Sequence, residues 1–183
     1  MKKTQAQTAR PWLWQGREFT TAPEEWLGFV YLITSPSGKM YVGKKLFWSR
    51  IRRKPLKGTR RVRIERKESD WRKYFGSSNE LVAELGRTGR SFWTREILHL
   101  CESKWECSFA ELKIQLALNA LVRTDFFNSI IHVRLNQPPS SFTPSRLDAT
   151  VARVQQQYGG STTTKISTCA PVRIRSRGRQ GVS

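Results

Sequence analysis

Acidic residues are scarce: 14 Asp and Glu stand against 33 Lys and Arg in 183 residues, a formal net charge of +19. So little negative charge argues against an anion-repelling surface and points to a polyanionic partner. Nucleic acid comes first, because phosphate neutralisation by Lys and Arg supplies affinity whatever the base sequence. An anionic membrane surface is the competitor. Long apolar runs are missing too. No stretch approaches the ~20 residues that span a bilayer, and the N-terminal MKKTQAQTARPWLWQ lacks the continuous apolar segment of a secretory signal. Cysteine is sparse: Cys101, Cys107 and Cys169 make an odd count with no CxxC pair. That argues against a disulfide framework or a zinc finger and for free thiols in a reducing, cytoplasmic setting. The two histidines, His99 and His132, sit among apolar neighbours (LHL, IHV), which favours structural roles over a catalytic base. No internal repeat is present.

Aromatic residues are plentiful. Seven Trp and nine Phe within a 38% hydrophobic composition are enough for a packed core, and the length suits one domain with appendages. Residues 1–27 read as an irregular arm that packs a Trp on the domain. Residues 28–34 (GFVYLIT) read as a strand, Pro36 and Gly38 as its turn, and residues 39–43 as the returning strand. The segment 44–54 reads as a short helix ended by Pro55. RRVRIER alternates charge with β-branched residues, as an exposed basic ribbon does. Ser77-x-x-Glu80 has the capping-box pattern of a helix start. Residues 91–100 read as a third strand and 103–122 as a helix with Trp105, Phe109, Leu112, Leu116 and Ala120 as its buried stripe. Residues 123–136 close the folded part. Residues 137–183 lack a core pattern and read as a basic, mobile tail. The fold class is α/β (α+β): a small antiparallel three-stranded sheet flanked by helices over residues 28–136.

The hairpin carries two phenols, Tyr31 and Tyr41, followed by KKLFWSRIRRK. A phenol is a poor base at its usual pKa near 10, and surrounding cations favour the phenolate. Lys44, Lys45, Arg50, Arg52 and Arg53 are placed to provide that field. Phe29-Val30-Tyr31 and Tyr41-Val42-Gly43 resemble the two motifs of the GIY-YIG nuclease family, with Phe29 where the family has Gly. The likeness extends through Tyr74-Phe75-Gly76-Ser77-Ser78, Ser91-Phe92 and Arg95-Glu96-Ile97-Leu98, Glu111 and Asn128, in the order found in phage-type members.

The resemblance implies hydrolysis of DNA phosphodiesters with Mg²⁺ (or Mn²⁺) as the cofactor, no small-molecule cofactor, and a phage or mobile-element origin with action in the host cytoplasm. Tyr31 would be the general base and Tyr41 would orient the water or phosphate. Tyr74 would sit near the phosphate. Glu111 would hold the metal, and Gly43, Lys44 and Asn128 would support the site. An arginine should brace the transition state. Arg50 is the first choice and Arg52 the second, because the family offset falls between them on Ile51. Lys45, Arg53, Lys57, Arg60, Arg61 and Arg63 would grip the DNA backbone without reading sequence.

Plainer readings exist for the same residues. Tyr is favoured in strands, Gly43 could simply end a strand, and Glu111 could complete a Ser108-x-x-Glu111 capping box. The rival function is a non-catalytic nucleic-acid-binding protein or a degenerate nuclease.

Overall fold

The computed structural model describes residues 9–54, 58, 60 and 62–160. Seven strands and three α-helices succeed one another: β1 (Trp12–Trp14), β2 (Arg17–Phe19), β3 (Gly28–Thr34), β4 (Met40–Leu46), β5 (Trp48–Arg53), β6 (Arg63–Glu68), α1 (Asn79–Thr88), β7 (Thr94–Cys101), α2 (Lys104–Ala117) and α3 (Pro144–Tyr158). One sheet has the order β2-β1-β7-β3-β4, and β5 with β6 forms a separate two-stranded ribbon.

The sheet is larger than the three strands read from sequence. The expected strands are its centre, β7-β3-β4, all antiparallel. The N-terminal arm adds the rest. Gln15 and Gly16 both take positive φ (52° and 78°), so WLW-QG-REF closes as a tight hairpin. Its first strand then lies parallel to β7 through Leu13 and Trp14. Trp12 is buried and its indole N–H donates to the Trp71 carbonyl at 2.9 Å, so the arm does pack a Trp on the domain.

Alternation along β3 divides its side chains between two cores. Phe29, Tyr31 and Ile33 face Trp12, Phe47, Trp71, Phe75 and, from α1, Leu81 and Leu85. Val30 and Leu32 face α2 and α3. Phe29 is fully buried in the first of these cores. Its ring lies 5.1 Å from Trp12 and 4.7 Å from Phe47, edge-on and tilted respectively. An aromatic cluster of this kind adds about 0.5–1.5 kcal/mol per pair beyond simple burial.

Three further expectations are corrected. Residues 44–54 are strand, not helix: β4 runs on to Leu46, buried Phe47 turns the chain, and β5 pairs with β6. Leu46, Phe47 and Ile51 mimic helical spacing, but tertiary pairing decides. The second is the start of α1. Its N-cap is Ser78, one residue later than the capping-box pattern implied, and no side chain caps it. The third is the buried stripe of α2, which is Cys107, Ala110 and Ile114 with the polar Glu106 and Gln115 beside them; of the expected stripe Ala120 is buried, but past the end of the helix at Ala117. Small side chains let the helix approach the sheet closely. Trp105 and Phe109 instead stack on each other at 4.9 Å and meet Phe142, while Leu116 is exposed.

The segment read as a tail contains α3, whose Leu147 and Val154 complete the second core. Leu147→Ala is expected to lower unfolding stability by about 2–5 kcal/mol in a denaturant titration, the cost of a core truncation. A change below about 0.5 kcal/mol would mean that α3 is not docked.

Cys101 and Cys107 are free and buried, as expected, and Cys169 lies outside the described residues. His99 is structural: its ring nitrogens meet Glu106 at 2.9 Å and Thr150 at 3.1 Å. No helix among the described residues is long and apolar enough to cross a membrane.

Candidate active site

β4 is an edge strand, and the two faces of the sheet meet around it at a cleft of about 630 Å³. Tyr31, Tyr41 and Tyr74 reach the cleft from the aromatic face, while Lys44 and Glu111 reach it from the α2 side. Asn128, Gln115, Ser77 and His132 also line it.

The two hairpin tyrosines are diagonal neighbours. Tyr31 pairs with Gly43 and Tyr41 with Ile33, so both phenols project to one face. Their ring centroids are 6.2 Å apart, and Tyr74 lies 6.0 Å from Tyr31, edge-on. A register shift in β7 between the partners of Val30 and Tyr31 leaves Leu98 bulged beside Tyr31. Such bulges re-aim side chains next to functional sites.

Gly43 is a close-approach position rather than a strand terminator. A Cβ there would sit 2.4 Å from the Tyr31 Oη. Gly76, at φ +93°, is also tight: a Cβ would lie 2.9 Å from the Tyr41 ring. Gly43→Ala must therefore displace the Tyr31 hydroxyl. The variant is expected to fold, by circular dichroism, and to lose on the order of 10²-fold of the activity that the cleft supports. Full activity would mean that the hydroxyl position does not matter.

The edge of β4 is held by side chains. Asn128 Oδ1 accepts from the Val42 N–H at 3.0 Å and its Nδ2 donates to the Val42 carbonyl at 2.8 Å. Gln115 Nε2 donates to the same carbonyl at 3.1 Å. Asn128 is thus a buried clasp that fixes the strand between the tyrosine hairpin and α2.

Glu111 does not cap a helix. α2 begins at the N-cap Ser103, whose hydroxyl accepts from the Glu106 N–H, so the Ser-x-x-Glu pattern that starts the helix is five residues upstream of Ser108 and belongs to Ser103 and Glu106. One turn further on, Glu111 turns its carboxylate to the cleft and accepts from Lys44 Nζ at 2.8 Å. Its side chain is 18% exposed.

The phenols are not activated by the basic cluster. Burial pushes the Tyr31 hydroxyl well above its ordinary pKa, and Tyr74, Tyr41 and Glu111 push it the same way. Burial also raises Tyr41, against a lowering hydrogen bond from Ser77. The expected cationic field fails for a geometric reason. Neither Arg50 nor Arg52 lines the cleft; both project from β5 on the ribbon. Arg53 pairs with Glu65 at 2.6 Å, and Lys45 pairs with Asp70 at 2.6 Å while lying over the Tyr74 ring. Lys44 is the one Lys or Arg among the described residues lining the cleft, and it is committed to Glu111. Arg60 and Arg63 are exposed, whereas Lys57 and Arg61 lie outside the described residues.

Two contributors escaped the sequence reading. His132 is exposed on the cleft wall, because residues 128–136 run irregularly and its apolar neighbours do not bury it. Arg95, in contrast, is 2% exposed at an inward position of β7. Its Nη1 donates to the carbonyls of Arg72 and Tyr74, at 2.9 and 3.1 Å, which fixes the turn that presents Tyr74. An arginine in the inward register of a strand was the available signal.

Among the described residues no three His, Cys, Asp or Glu side chains converge to cage a metal. The donor set suits Mg²⁺ all the same. That ion keeps several waters and takes one or two carboxylates, and the Glu111 carboxylate already holds a cationic group, the Lys44 ammonium.

An α/β domain with paired hairpin tyrosines, a helix-borne carboxylate and an Asn clasp around one edge strand defines a class by its fold and cleft together. Residues 12–131 match the family model described as "Putative endonuclease segE, GIY-YIG domain". That match covers well over half of the chain, and the chain belongs to the GIY-YIG endonuclease family. It begins at Trp12 and so takes in the strands of the N-terminal arm. No curated protein and no solved structure matches the chain.

Proposed function

We propose that this chain is an endonuclease that hydrolyses DNA phosphodiester bonds with Mg²⁺ or Mn²⁺ held at Glu111, encoded by a phage or mobile element and acting in the host cytoplasm. The observation that carries the proposal is the convergence of Tyr31, Tyr41, Tyr74, Lys44 and Glu111 on one cleft.

Each group has a part that its surroundings suit. Glu111 and Lys44 form a charge pair at the cleft wall, so an incoming phosphate can take over the Lys44 ammonium. Tyr31 holds its proton firmly, chiefly because it is buried, and the Tyr74 ring packs edge-on against it at 6.0 Å. The negative charge of Glu111 contributes to that grip on the proton. A cation held at Glu111 would offset that contribution and favour release of the Tyr31 proton, while burial, the larger cause, would still hold it. Tyr41, hydrogen-bonded with Ser77 at 3.5 Å, is placed to orient the water or phosphate oxygen. A divalent cation at Glu111 would supply Lewis acidity at the phosphoryl group and charge stabilisation for the departing 3′ oxygen.

The second reading, a family member that binds DNA without cutting it, is favoured by one observation: among the described residues no arginine lines the cleft. Purified protein incubated with supercoiled plasmid, with Mg²⁺ and with a chelator, separates the two. Nicked or linear product that depends on the metal supports the nuclease; bound, intact plasmid supports the binder.

A further inference from the structure

Among the described residues, strands β5 and β6 hydrogen-bond to each other and to no other strand. The ribbon is tied to the body at its base. Trp48 Nε1 donates to the Trp26 carbonyl at 3.0 Å, and Arg66 Nη2 donates to the Glu24 carbonyl at 2.9 Å. Beyond that base both of its faces are largely exposed.

The pairing register sorts the side chains. Arg50 lies opposite Arg66 and Arg52 opposite Ile64 on one face, while Arg53 lies opposite Arg63 on the other. Like charges placed directly across an antiparallel pair are destabilising. Arg66 is partly relieved by stacking over Trp48, at 4.1 Å, and Arg53 by Glu65. Neither Arg50 nor Arg52 pairs with a carboxylate among the described residues. A ribbon that accepts this repulsion is suited to a polyanion that removes it.

The Arg50 and Arg66 face is turned toward the chemistry. With Ile64 these residues line a second cleft of about 1110 Å³, which shares Lys44 with the tyrosine cleft. The carboxylates of that second cleft, Glu24, Glu25, Asp70 and Glu102, belong to the body side and stand there with Lys44, Lys45 and Lys104, whereas the ribbon side carries Arg50 and Arg66 with no carboxylate lining the cleft.

We propose that the Arg50, Arg52, Ile64 and Arg66 face of this ribbon enters the major groove of duplex DNA and reads base edges at a fixed distance from the phosphate held in the tyrosine cleft. The proposal rests on DNA being the substrate. It goes beyond a backbone grip for a specific reason. A grip needs only cations, but Ile64 is 64% exposed and Val62, beside it, is 50% exposed. Exposed apolar side chains between arginines contribute nothing to a phosphate contact. They match the thymine methyl, as an arginine fork matches O6 and N7 of guanine. A two-stranded ribbon also fits the ~12 Å width of the major groove. The eight-residue span from Lys44 to Arg52 reaches at most about 26 Å at ~3.3 Å per residue. At ~3.4 Å per base pair, the bases read lie within about eight pairs of the cut.

The test uses the full chain in a chelator, so that binding is read without cleavage. Duplexes are selected by binding from a random pool and probed by guanine N7 methylation interference. We expect an enriched sequence with N7 methylation excluded at fixed positions in a window of about eight base pairs. Arg52→Ala, at an exposed position that tolerates the change, should abolish interference at one of those positions and weaken binding to the selected duplex about 5- to 100-fold. Selection that enriches no sequence, interference that survives Arg52→Ala unchanged, or preferential binding of single-stranded RNA each overturns the proposal. If the interference pattern appears but the protein never nicks plasmid, the nuclease reading fails and the ribbon assignment stands.

Discussion

Glu111→Ala is expected to lower metal-dependent nicking of supercoiled plasmid by about 10³-fold or more, while DNA affinity stays level or rises. The size follows from the role: an anchored cation contributes several kcal/mol of charge stabilisation, and each ~1.4 kcal/mol is tenfold in rate. The sign of the binding effect follows from Lys44. Its ammonium is 2.8 Å from the Glu111 carboxylate, and removing the carboxylate frees a cation at the cleft wall. Loss of folding does not explain such a result. The Lys44 and Glu111 side chains are 34% and 18% exposed, and a partly solvated pair contributes on the order of 1 kcal/mol or less to stability. Glu111→Gln keeps the shape and removes the charge, so it should resemble the Ala variant in rate. A cleavage rate unchanged in both variants would take Glu111 out of the site.

Much of this cleft was legible before any coordinates. The β-branched and aromatic run GFVYLIT and the Ser-Pro-Ser-Gly turn mark a hairpin, and a hairpin determines which side chains share a face, so Tyr31 and Tyr41 were readable as neighbours. The place of Glu111 was legible only in part. It lies on the predicted helix, but the stripe chosen for burial was wrong, because Trp105 and Phe109 are apolar without facing the sheet. Hydrophobicity cannot distinguish a side chain under the sheet from one under a returning chain segment such as Phe142.

What the sequence concealed was long-range. β1 joins β7 across some eighty residues, and three residues are too few to show a period. The basic run after Gly43 read as an activating field because charge was counted along the chain. In space, Phe47 turns that run away from the cleft onto the ribbon and leaves Lys44 behind. Gly43 shows the converse. Its identity meant little in one dimension and becomes specific once Tyr31 Oη stands where its Cβ would be.

Tyr31→Phe tests the remaining half of the mechanism. The substitution keeps the ring that packs against Trp12, at 5.2 Å, and Phe29, at 6.0 Å, and deletes only the hydroxyl. A proton-transfer role is worth about 10²–10⁴ in rate, and a loss of that size is expected in single-turnover nicking. A loss below about tenfold would reassign the phenol to packing. Alkaline unfolding supplies an independent readout with a definite sign. The folded protein holds the Tyr31 proton more tightly than the unfolded chain does. Its contribution to stability is therefore intact below the unfolded pKa near 10 and is lost as pH rises toward the folded value. The Phe variant has no such proton to lose, so its stability should decline less steeply above about pH 10 than that of the parent. Parallel slopes would mean that the Tyr31 hydroxyl is solvated in the folded protein rather than buried.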